Sequence, residues 1–309
     1  MFFDVLKLLT QFHYLRNMKS ALVTGYSGQL GKAFAEVLAA NNWEGQVATP
    51  GRDELDWSNA ESIEKYFSSH SFDIIFHAAA YTNVELAEEQ EDQATFINAT
   101  SLITLSQCID PKKTWLIYFS TDYVFDGSKT VPYSESDVPT PLNAYGRSKL
   151  AAEGIVQRLF PIHTIFRVSW LYGSRGKNFL LTMLSLATTR KDLQIVNDQL
   201  GSPTFVDDLA KDVYTAIDLC LQSKCNLKGV LHYSPAGICS WYDFAQQIFQ
   251  FAVIPINLSP VSSDAFPQKA KRPPYSKLDS SLFQSRTGIV PASWTDQLQH
   301  CFQKMKDAQ

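Results

Sequence analysis

Residues 144–153 read AYGRSKLAAE and set Tyr145 four residues ahead of Lys149, at the head of a helix-like stretch. Residues one helical turn apart share a face. A phenol is a proton donor whose acidity responds to a neighbouring cation, although Tyr and Lys are also ordinary helix-surface residues. A second feature lies near the start of the chain. TGYSGQLG, residues 24–31, spaces Gly25, Gly28 and Gly31 as GxxGxxG between an apolar run and a helix-like stretch. Glycines let a backbone approach a pyrophosphate closely, and the first turn of a helix offers unpaired N–H groups at the positive end of its dipole. The spacing departs from the usual GxGxxG, but its place in the first strand–helix unit favours nucleotide binding over a simple turn.

The elements that must position these residues alternate. Short apolar runs predict strands at 19–24, 46–50, 72–80, 114–121 and 162–170. Helical periodicity falls between them at 28–42, 58–70 and 91–109, and in the stretch carrying Tyr145 and Lys149. Alternation of this kind, with each strand nearly continuous in apolar residues, predicts a doubly wound α/β fold of the Rossmann type, its parallel sheet covered on both faces. Beyond Trp170 the pattern loosens into helices at 177–190, 205–222 and 240–252. Pro260, Pro267, Pro273 and Pro274 keep 260–278 from being regular throughout. The expected organisation is an extension over 1–17, a dinucleotide-binding domain over 18–170, and a smaller, mostly substrate-binding lobe over 171–309, with segments around 195–222 returning to the Rossmann core.

Bulk properties exclude several classes. The chain has 309 residues, 45% of them hydrophobic, enough to bury a full core. A net charge of -4 offers no general field for nucleic acid or anionic lipid. The five cysteines, Cys108, Cys220, Cys225, Cys239 and Cys301, form no CxxC pair and no zinc spacing; they read as reduced thiols of a cytoplasmic protein. The first 17 residues are interrupted by Asp4, Lys7, Gln11 and His13. They fall short of the ~20 apolar residues of a membrane span, and Met18, directly before the first strand, leaves their role open.

At the end of the second strand, an acid would read a ribose 2′-hydroxyl and a base a 2′-phosphate. Arg52 precedes Asp53 there, which tilts the reading toward NADPH, with NADH staying open. TGYSGQLG, HAAAYTNVELAEE (77–89), STDYVFDG (120–127), PLNAYGRSKLAAE (141–153), RVSWLYG (167–173), NDQLGSPT (197–204) and RPPYSKLD (272–279) follow one another along the chain. In that order they resemble the dTDP-4-dehydrorhamnose reductases, a branch of the extended short-chain dehydrogenase/reductase family. The likeness runs from Met18 almost to the C-terminus.

The resemblance implies reduction of a sugar ketone by a nicotinamide cofactor, with dTDP-4-dehydro-L-rhamnose as substrate and dTDP-L-rhamnose as product. It assigns Tyr145 as proton donor, Lys149 as its tuning charge and ribose contact, and Thr121 as the hydroxyl that holds the ketone oxygen. A free phenol has a pKa of ~10, and bringing it down by about 3 units requires roughly 4 kcal/mol. An ammonium about 4 Å away supplies ~4 kcal/mol at an effective dielectric of roughly 20, so Lys149 is expected to be sufficient in size. The resemblance also implies a cofactor set: Gly25, Gly28, Gln29, Leu30 and Gly31 on the pyrophosphate loop, Asp56 and Trp57 by the adenine, Ala80, Tyr81 and Thr82 along the cofactor, and Phe119 beneath it. It places Asp122, Trp170 and Arg272 toward the nucleotide sugar. Trp57 and Phe119 also suit core packing, Trp170 a position between lobes, and Arg272 a solvated basic loop with Lys269 and Lys271. His77 reads as a hydrogen-bonded core residue.

Some members of that family dimerise through a divalent metal held by a glutamate early in the first helix. Ala33 stands at the corresponding position, so no metal is expected and a homodimer stays open. Two rivals have a stated basis. The β subunit of methionine adenosyltransferase is a non-catalytic nucleotide-binding relative with similar loops, against which the complete Thr121, Tyr145 and Lys149 set speaks. A reductase or epimerase of another nucleotide sugar is the nearer rival, although FRVSWLYG does not match the RYFN-like residues of the epimerases.

Overall fold

In the computed structural model, residues 18–307 are described apart from 42, 44 and 223; the expected extension over 1–17 lies outside the described residues. Along the chain, β1 (Ser20–Thr24) leads into α1 (Gln29–Ala40), β2 (Gln46–Ala48) into α2 (Ala60–Phe67), and β3 (Ile74–His77) into α3 (Val84–Ala87), α4 (Glu91–Thr95) and α5 (Ser101–Cys108). Next come β4 (Trp115–Thr121), α6 (Ala144–Leu159) and β5 (His163–Val168). Every residue of β4 and β5 is buried, as continuous apolar runs in a doubly covered parallel sheet require. Phe34 of α1 fixes one cover, its ring centroid 5.0 Å from those of both Phe76 and Phe119. Burying a side chain of that size contributes about 1.5–3 kcal/mol.

The second half supplies β6 (Leu171–Tyr172), α7 (Phe179–Ala187), β7 (Asp192–Val196), β8 (Leu200–Gly201), β9 (Thr204–Phe205) and α8 (Val206–Leu221). It continues through β10 (Gly229–His232), β11 (Cys239–Ser240), α9 (Trp241–Ala252), β12 (Asn257–Val261), α10 (Ser281–Thr287) and α11 (Trp294–Asp307). The main sheet has the order β10-β5-β4-β3-β1-β2, and all its pairings are parallel. From β1 the chain steps outward to β2 and then crosses back to β3 on the other side. A crevice therefore opens beyond the carboxyl ends of β1 and β3, where doubly wound sheets bind ligands.

Three short two-stranded ribbons, β6 with β9, β7 with β12 and β8 with β11, frame the rest. A separate apolar cluster that includes Leu180, Phe244, Ile248 and Leu298 joins α7, α9 and α11. Helix α8 instead packs into the sheet's cover through Val206, Leu209, Val213 and Ile217.

Observed elements are mostly shorter than the sequence pattern predicts. The expected helix at 91–109 contains a π turn over Phe96–Thr100. The run expected as strand to residue 170 stops at Val168, because Trp170 adopts a left-handed backbone with φ +48°. Pro260 sits inside β12, which is tolerated because that strand is half of an isolated two-stranded ribbon. Among the described residues no helix is long and apolar enough to cross a membrane.

Candidate active site

A groove runs across the carboxyl ends of the strands in two halves of about 530 and 510 Å³, which share Gly25, Ser27, Ala79, Ala80 and Thr82 as walls. Gly25 turns the chain out of β1 with φ +67°, and a Cβ there would stand 2.8 Å from the backbone of Ala78 and Ala79. A Cβ on Gly31 would come within 2.4 Å of the Gly25 carbonyl oxygen. Both glycines let β1, β3 and α1 close on one another. Gly28 is the N-cap of α1 and lines the groove; it brings no side-chain cap, and the first turn carries no acidic residue. By contrast, α2, α3 and α8 each carry acids in their first turns. An uncapped helix start facing a groove suits an anionic group such as a pyrophosphate.

In the first half, the Arg52 guanidinium lies 3.3 Å from the Asp56 carboxylate and donates to the Ser58 hydroxyl at 3.2 Å. Burial would raise the Asp56 carboxyl, but hydrogen bonds from Ser58 together with Arg52 outweigh it and hold the group below its ordinary value. Trp57 is buried yet lines the groove, its ring edge-on to His77 at 4.3 Å. His77 is a core residue, as expected: Thr24 Oγ1 contacts its Nδ1 at 3.2 Å, and burial followed by the Lys149 charge brings its pKa to about 3.

The second half gathers the remaining chemistry. Helix α6 begins at Asn143, whose side chain accepts from the Gly146 N–H at 2.8 Å. A Cβ on Gly146 would lie 2.2 Å from the Tyr123 carbonyl oxygen. The glycine after Tyr145 thus allows the helix start to sit directly on the turn that follows β4, beside Thr121. Thr121 donates to Asp122 Oδ1 at 3.1 Å and accepts from the Tyr123 N–H at 3.2 Å. Lys149 is buried, its ammonium 4.1 Å above the centre of the Tyr118 ring. Among the described residues no carboxylate pairs with it.

Electrostatics correct one expectation. Lys149 does not by itself bring the Tyr145 phenol toward neutrality. Burial pushes that phenol up, the Thr121 hydroxyl opposes the rise, and the Asp122 carboxylate adds to it. Burial also brings the Lys149 ammonium down to about 7, with Glu153 opposing. Asp122 is raised to about 7 by burial, a rise that the neighbouring Ser276 and Thr121 hydroxyls oppose. The site therefore holds a protonated phenol beside a lysine whose proton is loosened and a carboxyl whose proton is held more tightly than usual.

The model of the family described as the RmlD substrate binding domain matches residues 18–307. The chain belongs to this family. It is similar to the dTDP-4-dehydrorhamnose reductase of Escherichia coli K12, at 39% identity over 77% of this chain and 82% of that protein. Two solved dTDP-4-dehydrorhamnose reductases, from Clostridium acetobutylicum and from Bacillus anthracis in complex with NADP, are each 36% identical. Each aligns over 93% of this chain and 99% of its own with a TM-score of 0.86.

Most residues expected from this family's pattern converge on the groove: Gly25, Gly28, Gln29, Leu30, Gly31, Phe119, Thr121, Asp122, Tyr145, Lys149 and Trp170 in one half, Arg52, Asp56, Trp57 and Tyr81 in the other, with Ala80 and Thr82 between. Gln29 has a second task, since its amide donates to the Leu171 carbonyl at 3.1 Å. Arg272 lies outside the walls and pairs with Glu85 at 3.0 Å. Lys269 pairs with Glu89, so part of the basic loop leans on the acidic start of the 84–91 segment.

Sequence reasoning missed Asn98, Glu153 and Arg167. Asn98, in the π turn, accepts from the Tyr81 N–H at 2.8 Å and donates to the Tyr81 carbonyl at 3.1 Å and to Ser148 Oγ at 2.9 Å, tying the loop after β3 to α6. Glu153 accepts two bonds from Arg167, at 2.9 and 2.6 Å, and one from Ser120 at 2.5 Å. A polar or charged residue in a stretch otherwise expected to be buried, helical for Asn98 and Glu153 and strand for Arg167, was the available signal.

Proposed function

We propose that this chain reduces the C4 ketone of dTDP-4-dehydro-L-rhamnose to dTDP-L-rhamnose with NADPH. One observation carries the reading: Thr121, Tyr145 and Lys149 meet at the carboxyl end of β4, at the end of a groove that begins at the uncapped start of α1. The first half of the groove fits the adenosine end, with Arg52 the residue that would hold a 2′-phosphate and Asp56 and Trp57 the residues beside the base. Gly25, Gly28 and the first turn of α1 would take the pyrophosphate, and Lys149 the nicotinamide ribose. When bound, the reduced nicotinamide supplies hydride to a carbonyl carbon.

The chain's own residues supply the proton. Tyr145 keeps its proton in a half-buried setting, the form an acid needs, and its O–H proton passes to the ketone oxygen as negative charge grows there. Thr121 donates to the same oxygen and positions it. Lys149, in its charged form, stabilises the phenolate left behind. Asp122 and Trp170, on the same walls, are assigned to the sugar nucleotide. Closeness of the relatives over most of the chain supports dTDP-4-dehydro-L-rhamnose among 4-keto sugars.

Incubating the purified protein with NADPH and this ketosugar tests the proposal. The expected result is loss of absorbance at the reduced-nicotinamide band and an NMR spectrum of dTDP-L-rhamnose. An unchanged absorbance, or an epimerised ketosugar as product, would overturn it.

A further inference from the structure

Trp170 combines three features that an ordinary wall residue would not need. Its backbone is left-handed, with φ +48°, in a bulky residue that disfavours that region. Its indole lies parallel to that of Trp241, with centroids 3.5 Å apart and planes within 5°. On Gly201, a Cβ would stand 2.6 Å from Trp170 Cε2 and 2.9 Å from its Nε1. Only a residue without a side chain leaves the ring its place.

Gly201 and Trp241 arrive through one device. Strand β8 pairs antiparallel with β11, matching Gly201 to Cys239 and Leu200 to Ser240, and Trp241 follows directly as the first residue of α9. Helix α9 is itself fixed at this end by a capping box between Ser240 and Asp243. The Trp241 ring is held in turn by a bond from its Nε1 to Gln199 Oε1 at 3.3 Å and by Phe179 at 4.7 Å. The backbone around Trp170 is anchored to the same segment. The Thr204 N–H donates to the Trp170 carbonyl at 3.2 Å, and Ser169 Oγ to the Ser202 carbonyl at 2.9 Å.

Strained backbone persists only where its surroundings over-determine it, and it concentrates at ligand clamps. We propose that Trp241 and Gly201 are positioning residues that clamp the Trp170 indole against the half of the groove that holds Thr121, Asp122 and Tyr145, so that sugar binding depends on a stacked indole pair supplied by the β8–β11 ribbon. The proposal rests on the ketosugar reading above. Trp241 is not among the walls of either half of the groove, so it acts through Trp170 and chiefly on binding of the sugar.

The test uses the full chain with Trp241→Ala, Trp241→Phe and Gly201→Ala. Expected for Trp241→Ala and Gly201→Ala is a rise of about tenfold in KM for the ketosugar, the scale of a lost apolar contact, with NADPH binding and kcat little changed. Trp241→Phe should recover most of that loss, because a phenyl ring can still stack. Parallel indoles in contact also couple their transitions, so the wild type should show an exciton couplet in circular dichroism that Trp241→Phe removes. An unchanged ketosugar KM in Trp241→Ala, or a wild type without the couplet, would overturn the clamp. If the wild type fails to turn over the ketosugar, the substrate reading falls and the couplet alone decides the clamp.

Discussion

Lys149 and Glu153 stand one turn apart on the same side of α6, both nearly sealed from water, and the fold treats them in opposite ways. Glu153 is met by a two-pronged Arg167 and by Ser120, all on buried positions. Lys149 is met by the face of Tyr118. A buried charge costs several kcal/mol unless partners replace its water. The paired carboxylate braces α6 against β4 and β5, whereas the poorly paired ammonium lines the groove at a cost in stability. Identical burial thus marks structure in one place and, on the proposed reading, chemistry in the other.

Removing the carboxylate should have the largest effect on stability. Glu153→Ala leaves the buried Arg167 charge without its carboxylate, with only His232 at 3.3 Å and the Phe125 ring beside it, and should destabilise the protein by about 3–5 kcal/mol in denaturant titration. A smaller change, of opposite sign, is expected for Lys149→Met: a gain of about 1–4 kcal/mol as a desolvated charge gives way to a thioether of similar length, with turnover lost. Equal destabilisation by the two variants would break the comparison.

The pH dependence sharpens it. Lysine ordinarily holds its proton to 10.5, but folded Lys149 only to about 7, so between those values the unfolded chain binds more protons. Stability should therefore rise with pH across that window. Asp122 has the opposite sign: its folded carboxyl keeps a proton to about 7 against an ordinary 3.8, so its contribution falls as pH rises between them. The stability of the wild type minus that of Lys149→Met should climb from pH 7 to pH 10, as followed by urea midpoints. A flat difference would place Lys149 in a wetter setting than its burial implies. The smallest effect belongs to the rim. Lys269→Ala breaks an exposed pair with Glu89 and should shift stability by less than about 1 kcal/mol.

What the sequence made legible was local. Gly25, Gly28 and Gly31 announce a tight strand–helix turn by residue type alone, and Tyr145 and Lys149 share a face by spacing alone. The β1–β5 order of elements followed from periodicity. Strand β10 did not, because GVLH is four residues long and its burial comes from pairing with β5, more than 60 residues upstream in sequence. Asn98 was hidden for a similar reason: its partners Tyr81 and Ser148 come from different elements. The Trp241 stack depends on a two-residue ladder that no propensity encodes. Spacing also placed an ammonium near a phenol without showing that the ammonium would be sealed from water and the phenol half-buried, and burial pushes the Tyr145 phenol up where the spacing suggested down.

On the proposed reading, Tyr145 is the proton donor beside a bound cofactor. The most direct measurement is NADPH binding by fluorescence titration, alongside ketosugar turnover, in Tyr145→Phe and Lys149→Ala. The predicted result is a loss of turnover of about 10²–10⁴-fold for Tyr145→Phe, the range of a general acid, with NADPH affinity nearly unchanged, while Lys149→Ala loses both. Equal and mild losses in the two variants would contradict it.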